Sequence, residues 1–113
     1  NNADVISNLA GISGIAIIEA SKAAGTYAIG AGATQHTVAP EVVPVTIVRD
    51  LARIFTYMYD LELDGTLEQT HYFLGTKEGV IYPIYPSGEA SQEVQDKLAE
   101  ISDAIISGEI VVP

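Results

Sequence analysis

The residues with chemical potential sit in two glycine-spaced stretches, Gly11-Ile12-Ser13-Gly14 and Gly30-Ala31-Gly32-Ala33-Thr34-Gln35. The first follows an apolar run and opens a helical pattern, so its free backbone N–H groups suit an anion or an oxygen-rich ligand. The same spacing also serves an ordinary strand-to-helix turn with tight helix–sheet packing. The second stretch has two glycines of a dinucleotide-binding fingerprint, but no third glycine opens a helix after it. The prolines that follow, Pro40 and Pro44, disfavour a helix there. The stretch therefore reads as a loop at the carboxyl end of a parallel strand, where open α/β sheets bind ligands.

Other chemistry lacks its residues. GxxxxGK[ST] and GxSxG do not occur, and the two histidines, His36 and His71, have no spacing that supports a metal. Absence of cysteine removes disulfides, thiolate sites and cysteine nucleophiles. Asp60, Glu62 and Asp64 cluster at a helix end, where they read as a solvated face. The formal charge of -10, from 15 acids against 5 bases, repels phosphate backbones and disfavours nucleic-acid partners and basic membrane contacts. No cofactor motif is present, and the residues support a ligand-binding unit rather than a catalytic one.

Positioning these stretches requires an α/β framework. Asp4–Ala10 reads as a buried strand, Ile15–Gly25 as a helix with Ser13 available as its cap, and Thr26–Ala31 as a second strand. Strand, glycine turn, helix and strand in so few residues make a βαβ unit and hence a parallel sheet. A third strand lies within Ala39–Val48, followed by a helix over Arg49–Gly65 with Leu51, Ile54, Phe55, Met58 and Leu61 on one broad face. Thr70–Thr76 and Gly79–Tyr85 read as strands around a Lys77-Glu78-Gly79 turn, and Ser91–Gly108 as the clearest helix. The expected fold class is α/β, three-layer, with a mainly parallel sheet. At 113 residues and 48% hydrophobic composition, the chain suits one domain with a real core. It opens Asn1-Asn2-Ala3-Asp4-Val5 without a Met or a signal sequence, which points to a processed product or a fragment.

Three segments carry a family resemblance: ADVISNLAGISGIAIIEASKAAGTYAIGAGATQ, GTKEGVIYPIYP and EVQDKLAEISDAIISGEIVVP. In this order and spacing they resemble the carboxyl-terminal part of the basic membrane protein family. Those proteins are substrate-binding lipoproteins of ABC transporters, typified by the purine nucleoside receptor. The resemblance implies part of a type 1 periplasmic-binding-protein fold, with two lobes closing on a nucleoside-like or other small polar solute. It places residues 3–43 and about 72–113 in the carboxyl-terminal lobe, and about 44–71 in a crossover segment belonging with the other lobe. An ABC permease, and either an amino-terminal lobe or a second copy of the chain, are the implied partners. The implied location is extracytoplasmic, as a cell-surface or periplasmic lipoprotein.

The implied ligand-binding residues are Gly11, Ser13, Gly14, Gly32, Thr34 and Arg49. The family pattern after the second strand resembles G-V-D-S-D-Q, so Gly32 stands where an aspartate holds ribose hydroxyls and Thr34 where a second aspartate stands. Its S-x-x-K motif appears as Thr46-Ile47-Val48-Arg49. The alternatives are a nucleotide- or phosphosugar-using enzyme with Gly11–Gly14 as a phosphate site, and a regulatory or scaffold protein that kept the fold without the ligand. The apolar face of the Arg49–Gly65 helix is expected to be covered by a second copy or by a separate polypeptide. Otherwise it folds back onto its own sheet.

Overall fold

A computed structural model describes residues 2–112. Its framework is one four-stranded sheet in chain order: β1 (Val5–Ser7), β2 (Tyr27–Ala31), β3 (Val45–Arg49) and β4 (Ile81–Ile84). β1, β2 and β3 run parallel, with Ser7 beside Ile29 and Ala31 beside Ile47, while β4 joins antiparallel. The expected α/β architecture with a mainly parallel sheet is therefore present. β4 is an edge strand, which is where Pro83 is tolerated because only one side of the strand is paired.

The βαβ unit closes through α1 (Gly14–Ala24), which ends on Gly25 in the left-handed conformation with its N–H bonded to Lys22 and Ser21 carbonyls. Glycine adopts that conformation without a Cβ penalty, so the helix stops where the sequence places it. Side chains alternate along each strand, and the register puts Ala28, Gly30, Thr46 and Val48 on one face. Ile18 of α1 packs on that face with Ala28, Ala39 and Val43 as the buried core. Gly30 permits this close packing: a Cβ there would lie 2.7 Å from the Thr46 hydroxyl. On the opposite face Val5, Tyr27 and Ile47 each stay more than a third exposed.

Several expected boundaries shift for local reasons. β1 is shorter than Asp4–Ala10, because the Asn8 side chain accepts from the Ala10 N–H and turns the chain out of the sheet. β3 starts directly after Pro44 and extends through Arg49, so Arg49 is strand rather than helix. The following helix, α2 (Leu51–Leu63), instead begins at Asp50, whose carboxylate accepts from the Arg53 N–H at 2.9 Å. No strand forms over Thr70–Thr76: the sheet edge beside β3 is taken by β4, and Phe73 is left 93% exposed. The Lys77-Glu78-Gly79 turn does form, closed by a Gly79 N–H to Thr76 carbonyl bond.

α3 (Gln92–Ser107) is capped by the Ser91 hydroxyl and ends on Gly108. Neither α2 nor α3 contains a buried residue, and neither packs extensively on another element. α2 does not fold back onto the sheet; Leu51, Phe55, Tyr59 and Leu63 are all at least 60% exposed. Consequently the chain is extended, with a radius of gyration of 16.4 Å, against about 13 Å for a compact chain of this length. Its accessible surface is 7884 Å², where a compact protein of this mass exposes about 5,900 Å². The excess, about 2,000 Å², is the size of a substantial protein interface.

Candidate functional site

Parallel strands β1, β2 and β3 release their chains at the same edge of the sheet, and the two glycine stretches emerge there side by side. The first forms a 3-10 turn, Gly11–Ser13, that runs straight into α1. The Gly14 N–H bonds back to the Gly11 carbonyl, so the helical N-terminus starts at Gly11 rather than at Gly14. Ser13 already has helical backbone angles and its side chain makes no capping bond. That corrects its expected role as a cap, which requires an extended backbone. Its side chain is exposed at the mouth of the turn.

Gly14 is buried, and a Cβ at this position would overlap the Asn8 side-chain amide. The helix can therefore begin directly over Asn8 only with glycine here. In the second loop, Gly32 has φ +88 and open space where a Cβ would project, and its N–H bonds to the Ile47 carbonyl at 2.8 Å. Thr34 is exposed, and the chain then makes a 3-10 turn, Gln35–Thr37, instead of the helix a dinucleotide motif requires. Arg49 lies at the end of β3, on the face opposite Thr46, with an exposed side chain. The structure thus groups Gly11, Ser13, Gly14, Gly32 and Thr34 around the ends of β1 and β2. Arg49 ends the neighbouring strand.

Two residues outside the expected set of ligand contacts bind these loops together. Asn8 is 1% exposed, and its Nδ2 donates to Gln35 Oε1 at 2.8 Å. The same Gln35 oxygen accepts from the Ala31 N–H at 2.9 Å, and Gln35 Nε2 donates to the Gly11 carbonyl at 2.5 Å. The sequence signal for Asn8 is a polar residue within an apolar strand, since a buried amide must find partners. Gln35 carries no such signal on its own; two of its three partners, Asn8 and Gly11, are 27 and 24 residues away along the chain.

Among the described residues, no group of three His, Cys, Asp or Glu side chains is placed to hold a metal ion. His71 is exposed, while the buried Nδ1 of His36 and hydroxyl of Thr46 have no hydrogen-bond partner among the described residues. The loops present backbone groups, small residues and hydroxyls. Such a surface can hold a neutral polar solute by hydrogen bonds.

The family model described as ABC transporter substrate-binding protein, PnrA-like, matches residues 1–113. The chain belongs to this Bmp family. Basic membrane protein C of Borreliella burgdorferi strain N40 is 29% identical over 113 residues, covering 96% of this chain and 32% of that protein. Basic membrane protein A1 of Borrelia garinii subsp. bavariensis is 34% identical over 117 residues, covering 97% of this chain and 34% of that protein. The chain thus spans about a third of the length of these curated relatives. Among solved structures, a transcriptional activator of the comK gene from Bacillus halodurans superposes with a TM-score of 0.83 at 18% identity, covering 98% of this chain and 39% of its own. An ABC transporter solute-binding protein from Aeropyrum pernix K1 gives a TM-score of 0.71 at 19% identity, covering 98% and 41%. At such identities the likeness is one of fold, the solute-binding-protein fold expected from the resemblance.

Proposed function

We propose that the chain forms part of the extracytoplasmic solute-binding component of an ABC-type uptake system, without catalysis. The ligand is a nucleoside-like or other small polar solute. It lies against the carboxyl ends of β1 to β3, contacting Gly11, Ser13, Gly14, Gly32, Thr34 and Arg49. The observation that carries this reading is the convergence of the Gly11–Gly14 turn and the Gly32–Thr34 loop at one sheet edge. Parallel α/β sheets bind ligands at that edge. Membership of the Bmp family supplies the transport setting.

Residues 44–71 then act as the crossover, with β3 kept in this sheet and α2 presenting Leu51 and Phe55 to the other lobe. The excess accessible surface supports such a neighbour, whether an amino-terminal lobe or a second copy. An ABC permease is the downstream partner.

Thermal-shift measurements with adenosine, guanosine, inosine and uridine test the reading. A nucleoside present at 100 times its dissociation constant stabilises the folded state by about 2.7 kcal/mol, which is readily measured. A melting temperature unmoved by every nucleoside argues against a nucleoside site. It favours the scaffold reading, which has its own support in Gly32, a residue with no carboxylate to hold ribose hydroxyls. Turnover of nucleotides or phosphosugars would instead favour an enzyme.

A further inference from the structure

The Gln35 side chain connects the end of β2 at Ala31 to Asn8 and Gly11, which lie 27 and 24 residues away along the chain. Its amide orientation is fixed by backbone groups whose hydrogen-bonding sense is unambiguous. The Ala31 N–H can only donate, so it faces Oε1; the Gly11 carbonyl can only accept, so it faces Nε2. Asn8 must then present Nδ2 to Oε1, which leaves its Oδ1 for the Ala10 N–H at 2.9 Å. Each polar arm thus has one consistent assignment. The array joins the Gly11–Ser13 turn to the strand end that leads into Gly32.

This array lies outside the hydrophobic core of Ile18, Ala28, Ala39 and Val43. It occupies the sheet edge, and Gly14 supplies the space for it by lacking a Cβ. We propose that Asn8 and Gln35 are positioning residues that set the spacing of the two cleft loops and thereby ligand affinity, without touching the ligand. The inference rests on the solute-binding reading for its functional part. Its structural part stands independently.

The bonds predict distinct behaviour for two substitutions in the full chain. Gln35→Glu keeps acceptors for the Ala31 and Asn8 donors but sets a carboxylate oxygen against the Gly11 carbonyl. Gln35→Met removes all of these bonds. Amide hydrogen exchange reads both arms. The Gly14 N–H, bonded to Gly11, is expected to exchange about threefold to tenfold faster in both variants, as loss of one net hydrogen bond implies. The Ala31 N–H is expected to stay protected in Gln35→Glu and to lose protection by a similar factor in Gln35→Met. Core amides, such as that of Ala28, serve as the control for general destabilisation.

Equal exchange at Gly14 in wild type and Gln35→Glu overturns the proposal, as does a uniform acceleration that includes the core. If the wild-type chain binds adenosine, Gln35→Glu is expected to weaken that binding about threefold to tenfold by titration calorimetry. Unchanged affinity alongside faster Gly14 exchange overturns the functional part. If the wild type binds no nucleoside, the functional part falls with the nucleoside reading, and the exchange result still decides whether the array holds the loops together.

Discussion

Substituting Gly14 by alanine puts one methyl group where the Asn8 amide already lies. Two effects compete. Alanine favours the helix by up to about 1 kcal/mol over glycine. Against this, the buried Asn8 must move, and overpacking of a filled site costs roughly 1–3 kcal/mol. The displacement also breaks the Asn8 bonds to Gln35 and Ala10, each worth about 1 kcal/mol net. Steric and hydrogen-bond losses win, giving a net destabilisation of about 2–4 kcal/mol. For a chain of this length that lowers the melting temperature by roughly 8–16 °C. Circular dichroism during thermal or urea unfolding measures it directly. In an Asn8→Ala background the methyl group meets free space, so Gly14→Ala is expected to have little further effect. The coupling between the two substitutions should reach about 1–3 kcal/mol. A Gly14→Ala variant as stable as wild type refutes the reasoning, and so do strictly additive effects in the double mutant.

Gly30→Ala is expected to destabilise by roughly 1–3 kcal/mol, measured by urea unfolding, because its Cβ presses on the buried Thr46 side chain. Gly32→Asp is expected to raise riboside affinity in titration calorimetry by adding a carboxylate in open space, while its positive φ reduces stability by about 1 kcal/mol; unchanged or weaker adenosine binding counts against the loop assignment. Light scattering and hydrophobic-dye fluorescence are expected to reveal self-association or dye uptake through the exposed α2 face, and a folded monomer that takes up no dye contradicts this. The Lys22–Glu41 pair, 2.6 Å apart, holds the Glu41 carboxyl below the ordinary glutamate value through the bond to Lys22. Its small stabilising effect is therefore present above the unfolded-state value and is lost as pH falls through the folded-state value. NMR titration should find the Glu41 midpoint raised in Lys22→Ala.

Much of the framework was legible because its signals are local. Gly25 and Gly108 end helices through backbone conformations glycine adopts freely, and Ser91 caps α3 through its own hydroxyl. The order of strand, turn, helix and strand implied the parallel pairing of β1 with β2, which needs a crossover. Both glycine stretches were placed at the carboxyl-terminal edge of the sheet for the same reason, since each was read at the end of a parallel strand. Of the apolar α2 face read from the sequence, Leu51 and Phe55 are exposed, while Ile54, Met58 and Leu61 are half-buried.

Tertiary structure decided what depends on groups distant along the chain. Thr70–Thr76 has strand-like composition, yet β4 takes the available edge of β3, and no local pattern records that competition. Arg49 became strand because β4 pairs through Ile81 and because Asp50, one residue later, caps the helix. Asn8 and Gln35 acquire their role only when the ends of β1 and β2 come together, across 27 residues of chain. Apolar spacing and backbone preference act over a few residues and can be read directly from the sequence. A buried amide's partners, and the space that Gly14 leaves for one, exist only once the strands are side by side.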